Sequence, residues 1–363
     1  MQLAIFGAQG YALGAYKAIT TLYPRRSASF FIVSKMGNNR PMLGNIPVRE
    51  IKDVASEMTD EQKEQLEVII ATPENVQPEI EETLENYGFH HYSRLNSERW
   101  AELMKMFHIK LGCFMPLSAL PIGYSKPFIR IYMAKSDKDS PLKKTPCIQD
   151  YIYPLHVGAE KSTMRIADLV DNKGENISDR NCNYSELTGL YWIWKNKLNS
   201  PSIPGSDDGQ YYGLAQYRRM LAFSEDDLLR LPDNDVDVVL PYPMPYEPNI
   251  HAHHERYLKG ADWKALLTAL KELQPEYAEF FPQVLEQEYL YNYNVILAKK
   301  AVLREYCEWL FPILERVEEL SVPKGRDRGD RYIGYMAETL ETLYFTRNAD
   351  RLNVVHTECK LYK

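Results

Sequence analysis

The chain has 363 residues, of which 45% are hydrophobic, 12% aromatic and 26% charged, a composition that suits a soluble globular protein with two cores. Forty-three Lys and Arg against 50 Asp and Glu leave a formal net charge of −7, so a general nucleic-acid binder is excluded as a class. A few local arginines around a small anion remain compatible with that balance.

Residues 1 to about 120 alternate strand-like and helix-like runs. An apolar run at 3–7 (LAIFG) ends in glycine and is followed by helical spacing through YALGAYKAITTLY. A second strand is predicted at 29–34 (SFFIVS), then a Gly/Asn/Pro loop at 37–45. A helix over 60–66, a strand at 67–72 (EVIIAT) and a helix over 79–87 ending at Gly88 follow. Strands alternating with helices favour a parallel, wound sheet. A junction near residue 125 divides the chain into 1–122 and 123–363. Beyond it, FIRIYMA reads as a strand, NYSELTGLYWIWKNKL (183–198) as a helix and YYGLAQYRRMLAF (211–223) as a strand. VDVVLPYP (236–243) reads as a further strand. TALKELQPEYAEFFPQVLE and VLREYCEWLFPILERVEEL are each predicted as one long amphipathic helix, and 322–332 (VPKGRDRGDRY) as a polar loop.

Cys113, Cys147, Cys182, Cys307 and Cys359 are an odd, scattered set with no C-x-x-C pair, which argues against a disulfide framework or a zinc ribbon. The N-terminus has no basic region ahead of its apolar run, and no apolar stretch approaches the ~20 residues a spanning helix needs. A cytoplasmic protein is expected. The basic groups Lys143, Lys144 and 326–331 are interleaved with acids, so any membrane contact is expected to be weak and peripheral, at the inner face.

Gly7, Gly10 and Gly14 form G-x-x-G-x-x-x-G after the first strand, a variant of the turn that brings backbone close to a phosphate. Nothing acidic follows the second strand, which ends in Ser34-Lys35, so the partner of a dinucleotide's ribose is missing. With IFGAQGYA, LGNIPV and VIIATPENVQPEI, this half resembles the small Rossmann-like domain that precedes sugar acyltransferases and some sugar-processing enzymes. The resemblance leaves sugar-nucleotide contact, oligomerisation or scaffolding as its job.

The second half carries more chemistry. Residues 171–196 (DNKGENISDRNCNYSELTGLYWIWKN) gather Asp, Asn, Gly and Ser ahead of a helix, where polar ligands are readily held and where Asn183 or Ser185 is the expected cap. Arg218 and Arg219 sit together at the end of an apolar strand, and arginine's planar fork of donors matches phosphate oxygens. Asp235-Val236-Asp237 has the spacing of a carboxylate pair for Mn²⁺ or Mg²⁺ but precedes its strand, and Asp207-Asp208 lies in a Gly/Ser loop, so no metal ligand is assigned. His251, His253 and His254 have no Cys or second His pair at zinc spacing and fit a helix start or an acceptor-facing segment better.

Residues 129–345 resemble the bacterial capsular and exopolysaccharide glycosyltransferases long filed under a domain of unknown function. IRIYMAKSDKD, YIYPLHVGAEKS, the 171–196 stretch, YYGLAQYRRML, VDVVLPYP, YNYNVILAKK, YCEWLFPILE and GYMAETLETLYF carry the likeness in that order. One position departs: the family has His before Tyr-Arg-Arg, where this chain has Gln216. The resemblance implies an α/β protein, a GT-A-like nucleotide-binding domain preceded by the small Rossmann-like parallel-sheet domain. It implies an inverting hexosyltransferase moving a sugar, galactofuranose in known members, from a UDP-sugar donor to a polysaccharide or lipid-linked oligosaccharide acceptor.

Such a reaction needs donors for the leaving diphosphate, a carboxylate for the acceptor hydroxyl and exclusion of water. Arg218 and Arg219 are the candidates for the diphosphate, and Asp171, Asn172 and Asn176 for nucleotide or sugar hydroxyls. Glu338 is the first candidate for general base and Glu288 the second. Arginines in place of a cation leave the need for a divalent metal open. Two other classes remain: a nicotinamide-dependent oxidoreductase using the N-terminal glycine turn, and a non-catalytic assembly protein of polysaccharide synthesis.

Overall fold

The computed structural model describes residues 2–142, 148–199 and 209–362, the Arg326 side chain apart. Lys143, Lys144, Cys147 and the Asp207-Asp208 loop therefore lie outside the described residues. The chain divides into two compact units, one made of Met1–Phe114 with Met244–Glu247, the other of Met115–Pro243 with Pro248–Lys363.

The first unit runs β1 (Gln2–Phe6), α1 (Gly10–Leu22), β2 (Ala28–Val33), β3 (Met42–Leu43), β4 (Ile46–Glu50), α2 (Ile51–Glu57), α3 (Asp60–Glu64), β5 (Leu66–Ile70), α4 (Gln77–Asn86), β6 (Tyr92–Arg94) and α5 (Ser97–Leu111). Its sheet order is β3-β4-β2-β1-β5-β6, and every pair but the β3–β4 hairpin is parallel. The chain thus winds outward one way from β1 and then the other, the arrangement of doubly wound nucleotide-binding sheets. Ala4, Phe6, Ile32, Val68 and Ile70 fill one face together with Ile51, Val54, Ile80 and Leu84 from the helices.

The glycines of the first turn have packing reasons. Gly7 has φ of +126°, and a Cβ there would meet the Ala71 carbonyl at 2.7 Å. Gly14 lets α1 lie against α5, because a Cβ would press into the Trp100 ring at 2.4 Å.

The second unit runs β7 (Phe128–Lys135), β8 (Ile152–His156), β9 (Leu169–Val170), α6 (Asn181–Tyr184), α7 (Leu187–Ile193), β10 (Gln210–Gln216), β11 (Arg219–Leu221), α8 (Glu225–Asp233) and β12 (Val238–Pro241). After β13 (Met244–Pro245), which belongs to the first unit, come α9 (Ile250–His254), α10 (Gly260–Leu273), α11 (Pro275–Glu286), β14 (Tyr289–Leu290), β15 (Ile296–Lys299), α12 (Lys300–Leu320), α13 (Tyr332–Arg347), β16 (Val354–Thr357) and β17 (Cys359–Leu361). Its main sheet is ordered β16-β12-β15-β10-β7-β8-β9, with β10, β7, β8 and β9 mutually parallel and β15 antiparallel to its neighbours. Ile129, Ile131, Met133, Tyr211, Ala215 and Leu297 pack one face, and α7 covers the other, where Trp192 meets Tyr132 edge-on at 5.8 Å.

Three elements differ from the sequence reading. The helix expected over 183–198 is broken at Ser185, whose φ of +50° no helix contains, and it closes in a π-helical turn over Trp194–Leu198. Neither expected cap is used: the Ser185 hydroxyl has no partner among the described residues, and the Asn183 amide donates instead to the Arg328 and Asp330 carbonyls at 3.0 and 2.9 Å. The helix expected through TALKELQPEYAEFFPQVLE is two, α10 and α11, because Pro275 has no N–H to continue the ladder and pushes Gln274 out of the helical region. The strand expected over 211–223 is a tight hairpin, β10 turning at Tyr217-Arg218 into antiparallel β11.

Candidate active site

Strands β7, β8 and β9 progress toward one edge, and β10 then returns to pair with the other side of β7. The order of winding reverses between β7 and β10, and ligands of open α/β sheets gather outside the carboxyl ends at that reversal. Two polar segments leave the sheet there, Ser136–Asp139 after β7 and Gln216–Arg219 after β10. Asp139 accepts a bond from the Ser136 N–H at 2.7 Å, and Asp137 accepts from the Ser162 hydroxyl at 2.8 Å. Burial raises the Asp139 carboxyl, and the charges of Arg218, Lys135 and Arg331 oppose that rise, so these groups share one field.

The hairpin separates the two adjacent arginines. Arg218 stands exposed at its tip, while Arg219 begins β11 and turns inward, its guanidinium 4.0 Å from the centre of the Tyr293 ring. Tyr293 and Asn294 follow β14 in consecutive left-handed conformations, with φ of +79° and +51°. Such backbone costs of order 1 kcal/mol or more per residue and persists only where its surroundings hold it. Here Gln216 donates its amide to the Tyr293 carbonyl at 2.8 Å, and the Tyr293 N–H donates to Glu338 Oε1 at 3.0 Å. Gln216, where the resembling family has His, thus props the turn.

The turn presents two carboxylates. Glu338 on α13 also accepts from the Asn292 amide at 3.2 Å, and its side chain is only 13% exposed. Burial pushes it up to about 7, with the Glu186 carboxylate adding to the rise and the Tyr293 N–H, the Asn292 amide and Arg219 working against it. Glu186 stands just before α7 without capping it and accepts from the Asn294 amide at 2.7 Å. Burial raises it as well, countered by that amide and by the charges of Arg331 and Arg219. A third carboxyl one turn along, Glu341, is fully buried and held well above the ordinary range. Arginine, two titratable carboxyls and amide donors therefore converge around the turn after β14, beside the hairpin at the carboxyl end of β10.

The remaining candidates lie elsewhere in the unit. Asp171 is wholly buried and accepts from the Gly158 and Ala159 N–H groups at 2.9 and 3.1 Å and from the Ser178 hydroxyl. Asn172 donates to Glu160, and Asn176 bridges the Gly174 carbonyl and the Ser178 N–H. These three side chains hold their own loop in shape. Glu288 sits half-buried in the turn between α11 and β14. Lys299 reaches both Asp235 and Asp237, the latter at 2.8 Å, at the amino end of β12. Among the described residues, no three His, Cys, Asp or Glu side chains are grouped so as to hold a metal ion. The carboxyls of Glu338 and Glu186 are each engaged by N–H and amide donors rather than grouped around a common centre, a poor fit to a hard cation.

Sequence reasoning missed Asp139, Glu186, Asn292, Asn294 and Arg331. Glu186 lay in the stretch it singled out, hidden by the unbroken helical spacing on either side. The Tyr-Asn-Tyr-Asn run at 291–294 carried the only cue to a tight turn.

A GT-A-like α/β architecture with an arginine- and carboxylate-lined crevice defines the class. The chain belongs to the family described as domain of unknown function DUF4422, whose model matches residues 130–349. It is similar to the apo structure of the WbbM bifunctional glycosyltransferase, at 26% identity and a TM-score of 0.52 over 64% of this chain. This chain spans 45% of that protein. None of the curated proteins compared matches the chain.

Proposed function

We propose that this protein is a glycosyltransferase that moves a sugar, galactofuranose in the first instance, from a UDP-sugar to a saccharide acceptor. The observation that carries the reading is Glu338, a carboxyl poised near neutrality beside Arg219 at the turn after β14. A general base serves best when its pKa lies near the working pH. In a single inverting displacement, the acceptor oxygen attacks the anomeric carbon from the face opposite the diphosphate. The bond to acceptor oxygen forms as the bond to phosphate oxygen breaks, the hydroxyl proton passes to Glu338, and the negative charge leaves on UDP. Arg218, exposed at the hairpin tip, meets the incoming diphosphate and the charge that grows on it as its bond to carbon breaks, and Arg219 favours the ionised form of Glu338 before the proton is taken up. No step runs through a metal. The likeness to a solved glycosyltransferase supports the reaction class.

A cavity of about 450 Å³ lined by Arg180, Glu315, Glu318, Glu319, Lys324 and Asp327 supports a hydroxyl-rich acceptor. Its mixed charges, with acids in excess, suit a neutral saccharide better than a second phosphate. The segments that line it lead straight to Glu186 and Arg331. An acceptor extended along a polysaccharide or lipid-linked chain at a membrane face belongs to the same proposal, as does its place in capsule or exopolysaccharide synthesis. Among the described residues, no helix is long and apolar enough to cross a membrane.

Calorimetric titration of the full chain with UDP, and separately with NAD, each with and without Mn²⁺, tests the reading. Saturable UDP binding that Arg218→Ala abolishes is expected, with Mn²⁺ making no difference. Binding of NAD alone overturns it in favour of a nicotinamide enzyme. Binding of neither favours an assembly protein.

A further inference from the structure

One buried group behind Glu338 has no part in the mechanism above. His254 ends α9, a short helix whose start is capped by Asn249 accepting from the Ala252 N–H at 2.9 Å. Its ring is wholly buried. Nδ1 lies 2.8 Å from the Thr339 hydroxyl, and Nε2 lies 4.0 Å from Glu338 Oε2 with no hydrogen-bond partner among the described residues.

The proton count decides the tautomer. If the Thr339 hydroxyl donates to Nδ1, the hydroxyl is satisfied and the ring's own hydrogen sits on Nε2, facing the carboxylate. The opposite tautomer leaves the buried Thr339 proton without an acceptor and turns a bare Nε2 lone pair toward an anionic oxygen. The first arrangement wins on both counts.

We propose that His254 is a positioning residue for Glu338, a neutral imidazole whose Nε2–H is aimed by Thr339 at Oε2 so as to favour the ionised carboxylate and hold its orientation. Catalytic hydrogen bonds are often long in unliganded proteins and close in the complex, which accommodates a resting separation of 4.0 Å. The ring keeps its neutral form, since burial pushes His254 down to about 3, with His253 and His251 adding to the effect. The other groups acting on Glu338 are Glu186 before α7, Arg219 on β11, the Tyr293 N–H and Asn292 amide after β14, and Tyr335 and Glu341 on α13. Of these, Arg219 and the two hydrogen-bond donors favour the charged form, and His254 joins them from the end of α9. The catalytic meaning of the contact rests on Glu338 being the base; the contact itself does not.

Infrared titration of the full chain reads the effect directly. The protonated-carboxyl stretch that Glu338→Gln removes identifies Glu338. Its midpoint is expected to rise by about one pH unit in His254→Phe, a tenfold change in ionisation constant, and to move the same way in Thr339→Val. The second variant removes only the hydroxyl and decides the matter if the first fails to fold. An unmoved midpoint in folded Thr339→Val overturns the proposal. In donor turnover, the acid limb of the pH profile shifts alkaline in both variants, whereas a merely structural role lowers the rate alike at every pH. Failure of UDP to bind wild-type protein sinks the transferase reading and leaves the infrared result standing.

Discussion

Glu338 is a carboxyl that water scarcely reaches, so the protein decides the pH at which it ionises. As a base it works only when deprotonated, and with its value near 7 the rate of sugar transfer is expected to rise as pH increases through that point. Glu338→Gln is expected to lower kcat by about 10²–10⁴-fold, with UDP affinity retained in calorimetry. The same burial has a stability consequence. A carboxyl raised above its unfolded value of 4.5 loses favour in the folded state as pH climbs from that value toward 7. Glu338→Gln is therefore expected to raise the melting temperature at pH 8 and to leave it unchanged at pH 4, measured by scanning calorimetry. A variant that is more stable yet inactive is the signature of a strained functional group rather than of a packing residue.

At the level of elements, the 158–180 loop is organised by one carboxylate. Asp171 gathers two backbone N–H groups and a serine hydroxyl from residues that approach it across β8, β9 and the turn after them. Removing it leaves buried donors unpaired, so Asp171→Ala is expected to cost roughly 3 kcal/mol in urea unfolding. Because this side chain is buried beyond reach of a ligand, UDP affinity in the folded fraction of that variant is expected to stay within about threefold of wild type; a selective loss of UDP binding with unchanged stability would return Asp171 to the ligand. The break at Ser185 acts on the same region. It turns the chain so that Glu186 faces the crevice while Leu187, Leu190 and Ile193 keep α7 on the sheet. A continuous helix would have carried Glu186 elsewhere around its circumference.

Across the second unit, a buried ion pair links distant helices to the site. Arg328 binds Asp262 of α10 at 2.5 and 3.1 Å, reaches Asp330 at 2.7 Å and lies 3.8 Å from the centre of the Tyr332 ring. Both Arg328 and Asp262 are nearly inaccessible, with side-chain exposures of 3% and 0%. Removing one partner strands a charge in the interior, and Arg328→Met is expected to cost about 3–5 kcal/mol in chemical denaturation. The loop this pair anchors leads to Arg331 and α13, so donor turnover is expected to fall along with stability.

Much of the architecture was legible along the chain. Short apolar runs marked β1, β2, β5, β7 and β12, three of them closed by Gly or Pro, because strands buried in a sheet are mostly apolar. The spacing of α1 and α12 was read as helix from its period. Arg218, Arg219 and Glu338 stood out in the sequence as candidates because arginine forks and carboxylates are what a leaving diphosphate and an acceptor hydroxyl require. Residue types and their periodicity thus marked many of the elements, though not the break at Ser185, the split at Pro275 or the hairpin after β10. The meeting of Glu186, Arg219, Asn294 and Glu338 was not legible, since they lie far apart in sequence and come together only through the reversal of winding between β7 and β10. Left-handed backbone at Ser185 and Tyr293 was hidden too, because neither residue type favours it and the surrounding packing holds it; at Asn294 the residue type gave a cue. Burial, and with it the ionisation of Glu338, is a property of the folded neighbourhood: the same carboxyl in the unfolded chain is an ordinary surface acid.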